Sequence, residues 1–187
     1  MAETTLVTAK TGDLRMSLQE KDERYRTVIE QIEAVLTPER DLLACMSSVV
    51  CLLHNAFPYY FWTGFYRRVA PRELLVGPYQ GTMGCLEISF DRGVCGACAC
   101  ERRTIVVPDV ELFPGHIACD AASRSEIVVP IFDATNELIA VFDVDSTVVN
   151  AFDETDQRNL EHVAGLLREK IHYPLVYPVP PVPRDGC

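Results

Sequence analysis

Long apolar runs are missing from this 187-residue chain. The best of them, Val49-Val50-Cys51-Leu52-Leu53, falls far short of the ~18 residues a membrane-spanning helix needs. Residues 1–20 carry Lys10, Arg15 and several acids without a continuous apolar stretch, so no secretory leader is expected there. Basic charge is scarce too: 17 Lys and Arg against 27 Asp and Glu give a formal net charge of -10. With no basic stripe to release counterions, a nucleic-acid backbone is not an expected partner. The four histidines, His54, His116, His162 and His172, lack metal-ligand spacing, and none is assigned a metal.

Cysteine, by contrast, is abundant. A disulfide framework belongs to short secreted chains with weak cores. This chain is 48% hydrophobic and 24% charged, the composition of a globular domain with ample core. Free thiols in a reducing, cytoplasmic compartment are therefore expected. Five of the eight cysteines, Cys85, Cys95, Cys98, Cys100 and Cys119, fall within 35 residues among glycines and carboxylates. Cysteines kept for packing would be scattered along apolar faces. The cluster points to redox or metal chemistry, while Cys187 is most simply an exposed, non-catalytic thiol.

Periodicity supplies the scaffold. Tyr25, Val28, Ile29, Ile32, Val35 and Leu36 recur at helical spacing over about 17–37. Thr37 as N-cap and Pro38 at the first position predict a second helix to about residue 55, ended by Pro58. Residues 59–66 alternate as a strand, with a turn over 67–72 and a hairpin partner at 74–79. Short strands are expected near 85–90 and 104–107. A second hairpin joins 126–132 to 138–145 around Asp133-Ala134-Thr135-Asn136. Asp153 then caps a helix to about residue 170, with Leu160, Val163, Ala164 and Leu167 on one face. The fold class is α+β, a mostly antiparallel sheet with helices packed against it. The expected divisions are an arm (1–16), the domain (17–172) and a tail (173–187). The tail has five prolines, including Pro178-Val-Pro180-Pro181-Val-Pro183, and is read as extended or polyproline-like.

Three chemistries fit the cysteines. Cys95, Cys98, Cys100 and Cys119 offer four thiolates to zinc, although their spacing departs from the usual paired knuckles. Cys95-Gly96-Ala97-Cys98 has the spacing of a thioredoxin-like pair, without the strand order that motif requires. The third is a catalytic thiolate at Cys119 with a resolving thiol elsewhere. Cys119 follows a Pro-Gly-His segment containing His116 and precedes Asp120. Asp143 and Asp145 are two apart on a strand and so point the same way. Acids on a buried strand end are costly unless they meet a cation or turn outward. With Glu126 they would form a pocket for an ammonium group, or hold one carboxyl protonated for proton donation. Trp62 is a candidate wall for that pocket.

At this point the sequence resembles a known family. Gly77-Pro78-Tyr79-Gln80-Gly81, Gly93-Val94-Cys95-Gly96, Gly115-His116-Ile117-Ala118-Cys119-Asp120, Ser125-Glu126-Ile127-Val128 and Asp143-Val144-Asp145-Ser146 are similar to segments of the free methionine-(R)-sulfoxide reductases. These are built on a single GAF domain, and the likeness covers about residues 20–170. It implies a GAF-like fold, usually dimeric, that reduces free methionine-(R)-sulfoxide with electrons from a thioredoxin-like dithiol protein and no bound cofactor. By resemblance the nucleophile falls on Cys119 and its partner cysteines on Cys85 and Cys95. The substrate-binding acids fall on Glu126, Asp143 and Asp145, with Glu126 or Asp143 the candidate proton donor, and the pocket tryptophan on Trp62. Cys98 and Cys100 depart from the family pattern, as alternative relay thiols or packed residues. The competing reading is a GAF sensory module that binds a small molecule without turning it over.

Overall fold

The computed structural model describes residues 14–36, 41–115 and 119–170. Their centre is a six-stranded sheet in the order β3-β2-β1-β6-β5-β4, with every neighbouring pair antiparallel. In chain order the strands are β1 (Trp62–Ala70), β2 (Glu73–Gln80), β3 (Glu87–Ser89), β4 (Ile105–Val107), β5 (Ser125–Phe132) and β6 (Leu138–Ser146). Helices α1 (Leu18–Val35), α2 (Leu42–Ala56), α3 (Gly93–Glu101) and α4 (Glu154–Lys170) pack around them. The expected α+β architecture and both hairpins are present. The first strand runs on to Ala70, so its turn is confined to Pro71 and Arg72.

Local signals set the helix ends. Ser17 and Glu20 form a reciprocal capping box at the start of α1, satisfying donors that an uncapped end would expose. Thr37 and Pro38 lie outside the described residues, and the cap of α2 is Asp41, whose carboxylate accepts from Ala44 N–H at 3.1 Å. Asp153 accepts from Thr155 N–H at 2.8 Å at the head of α4, as its position predicts. Leu14 and Met16, from the predicted arm, pack against the helical core. The tail beyond residue 170 and the rest of the arm lie outside the described residues.

The sheet carries a core on each face. On one, α1, α2 and α4 cover Phe65, Ile127, Val129, Ile131, Phe142 and Val144. Beneath them Lys21 reaches from α1 to Asp153 and Asp156 at 2.8 and 2.5 Å, and Tyr25 donates to Asp156 at 2.8 Å. A buried carboxylate needs such partners, since losing one would strand a charge in the interior. The opposite face is thinner: α3 and the loops cover Tyr66, Leu74, Val128 and Val141. The strand period of two assigns alternate residues to these faces, and the second face holds the candidate site.

Candidate active site

Cross-strand register assembles the site. Trp62 on β1 pairs with Asp145 on β6, which pairs with Glu126 on β5. One step along, Gly64 pairs with Asp143, which pairs with Val128. Two adjoining rows on one face thus bring Trp62, Glu126, Asp143 and Asp145 together across three strands. Trp62 stacks with Tyr66 at 5.6 Å and with Tyr79 at 5.3 Å between ring centroids, and its indole N–H donates to Thr82 O at 3.0 Å. The stack needs glycine at residue 64, where a Cβ would stand 2.4 Å from Tyr79 Cβ and 2.5 Å from Trp62 Cη2.

Helix α3 is the one helix the sequence analysis did not assign. Gly93-Val-Cys-Gly-Ala-Cys-Ala-Cys-Glu101 has small side chains all round and no amphipathic stripe, so periodicity gave no signal. The helix forms because Gly96 lets it lie against the backbone, where an added Cβ would come within 2.5 Å of Ser89 O. The helix sets Cys95 in the lining of the site, with Cys98 as its neighbour one turn on and outside that lining. Cys98 is fully buried, with its thiol on Val128 O at 3.5 Å, and Cys100 is half-buried.

Cys119 is bonded to Cys85, with Cα atoms 5.3 Å apart. The bond joins the loop after β2 to the loop before β5, and Thr82 adds a second tie by donating to Asp120 at 2.7 Å. Cys95 is not in this disulfide and is buried. With Cys119 bonded to Cys85 and Cys98 turned into the core, the four-thiolate zinc set considered from the sequence is not assembled. The thioredoxin-like pair, Cys95 and Cys98, lies on α3 with both thiols free, beside an all-antiparallel sheet that does not supply the strand order the motif requires.

The pocket between these parts encloses about 510 Å³ of space, open solvent at its mouth included. Trp62, Cys95, Cys119, Glu126, Asp143 and Asp145 line it, so six of the seven expected site residues, the exposed nucleophile candidate among them, share one cavity. Cys85 meets it through its bond to Cys119. The wall also includes Tyr66, Met83, Arg92 and Ser123, which the sequence reading did not single out. Alternation along β1 would have put Tyr66 on the face of Trp62. The others sit on loops, where no periodicity applies.

Burial dominates the electrostatics. Glu126 and Asp143 are pushed well above the carboxylate range, first by loss of water and then by the neighbouring acids. Asp145 is raised to about 7 by burial, with a hydrogen bond from Ser123 opposing the rise. The Cys95 thiol is raised by burial and by the charges of Asp143 and Glu126. Carboxyls that keep a proton near neutral pH can act as acids there. Those that ionise give a low-dielectric site for a cation.

A curved antiparallel sheet with this helix arrangement and a pocket on one face defines a GAF domain, and the GAF domain model matches residues 53–172. The chain is 43% identical over 155 residues to GAF domain-containing protein A of Dictyostelium discoideum, covering 83% of this chain and 97% of that protein. It is 36% identical over 149 residues to the free methionine-R-sulfoxide reductase of Escherichia coli, covering 80% and 89% respectively. Among solved structures, the free methionine-R-sulfoxide reductase of Neisseria meningitidis in complex with its substrate superposes with a TM-score of 0.76 at 40% identity, over 86% of this chain and 95% of that one. This chain belongs to the free methionine-R-sulfoxide reductase family. Among the described residues, no helix is long and apolar enough to cross a membrane.

Proposed function

We propose that this protein reduces free methionine-(R)-sulfoxide to methionine, with Cys119 as nucleophile and Cys85 as the thiol that resolves it. The observation carrying this reading is the Cys85–Cys119 disulfide beside a pocket floored by three carboxylates. The Cys119 thiolate attacks the sulfoxide sulfur while Glu126 or Asp143, held protonated by burial, donates to the oxygen. Methionine leaves, the oxygen remains on Cys119 as sulfenic acid, and condensation with the Cys85 thiol expels water and forms the disulfide. A thioredoxin-like dithiol protein then takes over that bond by exchange and is itself oxidised. Exposure of Cys119 supports such access.

The ionised carboxylates hold the substrate ammonium, Asp145 foremost, and the Trp62 ring packs against the methionine side chain. The substrate carboxylate meets the first turn of α3, where Gly93 and Val94 line the pocket beside Arg92; helix N-termini favour anions. A site closed around both termini of a free amino acid leaves no path for a peptide. A reducing, cytoplasmic setting fits thiols such as Cys51 and Cys95 that are outside any disulfide. A homodimer follows from the family likeness, and sedimentation of the full chain tests it.

The test of the activity is a single turnover of fully reduced protein with each sulfoxide epimer. One methionine per protein disulfide, from the R epimer alone, is expected. Cys119→Ser should abolish release while keeping the circular dichroism of the wild type. Unchanged thiol content after the R epimer would leave a binding module in place of an enzyme.

A further inference from the structure

The mechanism leaves one nucleophilic group in the pocket without a task. Cys95 lines the cavity and is buried, yet the disulfide joins the other two cysteines. Ligand-capable atoms of Cys95, Glu126 and Asp143 all lie within 4.8 Å of one another. Asp143 is 5% exposed; its carboxyl shares hydrogen bonds with Cys95 and Glu126, while its Oδ1 has no partner. A buried, unmatched carboxylate oxygen in a pocket is an acceptor awaiting a donor or a cation. Among the described residues lining the cavity the only basic side chain is Arg92, which is exposed.

We propose that Cys95, Glu126 and Asp143 form a binding site for a thiophilic divalent cation, of which zinc fits the donors best. One sulfur and two carboxylate oxygens suit zinc better than calcium or magnesium, which take oxygen alone. Zinc bonds of about 2.3 Å to sulfur and about 2.0–2.2 Å to oxygen bring such donors closer than 4.8 Å, so the three side chains close on the ion as it binds. Binding displaces the thiol proton of Cys95 together with the protons that burial keeps on Glu126 and Asp143; all pass to solvent, and solvent completes the coordination. No electrons move. The cation takes Glu126 and Asp143, the acids given above to protonating the sulfoxide, inside the cavity that holds the substrate, so zinc and methionine exclude one another. This last consequence rests on the proposed function; the metal site itself does not.

The full-length protein in its disulfide form, stripped with chelator, is titrated with cobalt(II) as the spectroscopic probe. Cys85 and Cys119 cannot ligate in that form. One equivalent of cobalt should give a near-ultraviolet thiolate-to-metal charge-transfer band that an equivalent of zinc bleaches. The band should persist in Cys51→Ser protein and vanish in Cys95→Ser protein, and Asp143→Asn should weaken cobalt binding with circular dichroism unchanged. Absence of the band in wild type overturns the site, as does its survival in Cys95→Ser or full cobalt affinity in Asp143→Asn. Free methionine should displace the cobalt; a band that resists saturating methionine overturns the shared position. Turnover of metal-free, reduced enzyme is read separately, so failure of either proposal is told from failure of the other.

Discussion

Replacing Asp145 by asparagine should make the folded protein more stable at alkaline pH and a poorer binder of its substrate. Asp145 lies between Trp62 and Glu126 in the cross-strand row, and burial raises its carboxyl from 3.8 to about 7. In the unfolded chain the same group ionises near the lower value. Between the two values the folded state holds the extra proton, so stability falls as pH rises from about 4 to about 7 and is level beyond. From pH 5 to pH 8 the loss is about 2–3 kcal/mol, and the whole cost of ionising the group in place is about 4 kcal/mol. Urea unfolding of the chelator-treated disulfide form at those two pH values, for wild type and Asp145→Asn, reads the difference directly. Wild type should lose about 2–3 kcal/mol more than the variant over that interval. Methionine affinity should rise through about pH 7 in wild type, as the carboxylate forms, and stay flat in the variant. Parallel stability profiles for the two proteins would refute the reasoning, because Asp145 would then not be paying for its charge.

Two further outcomes concern the disulfide and the aromatic stack. Cys85→Ser should still release one methionine per reduced protein but accumulate Cys119 sulfenic acid, trapped by a dimedone-type reagent; an unaltered rate of dithiol-driven turnover would show that Cys85 is not the resolving thiol. Gly64→Ala forces a methyl into the Trp62 and Tyr79 contact, which should cost about 1–3 kcal/mol of stability and raise KM through the displaced indole. A variant with wild-type melting temperature and KM would refute the claim that the rings need this gap.

The site was legible in unequal parts. Glu126, Asp143 and Asp145 could be picked out because acids on an apolar strand carry a cost that demands a reason. Their meeting with Trp62 could not, because strand neighbours depend on register between segments some 60 to 80 residues apart in the chain. The cysteine cluster announced its chemistry, yet the sequence left Cys85, Cys95, Cys98 and Cys100 as alternatives. Helix α3 distinguishes two of them: Cys95 lines the pocket, while its neighbour Cys98 meets Val128 O outside that lining. The small-residue composition that lets α3 pack so closely is also what hid it. Asp41 took the cap predicted for Thr37, a shift of the kind expected where several good capping residues stand near one helix start.

By itself the sequence determined the elements and their faces, since a strand of alternating apolar residues or a helix with one greasy stripe has only one way to shield that surface from water. It also determined the type of chemistry, through thiols and carboxylates placed where apolar packing has no use for them. Tertiary structure alone decided which sulfur joins Cys119, which acids share a cavity and which thiol is left beside them. Those outcomes depend on distances between remote segments, fixed by sheet register and by how closely one helix can approach a backbone, and no local pattern carries that information.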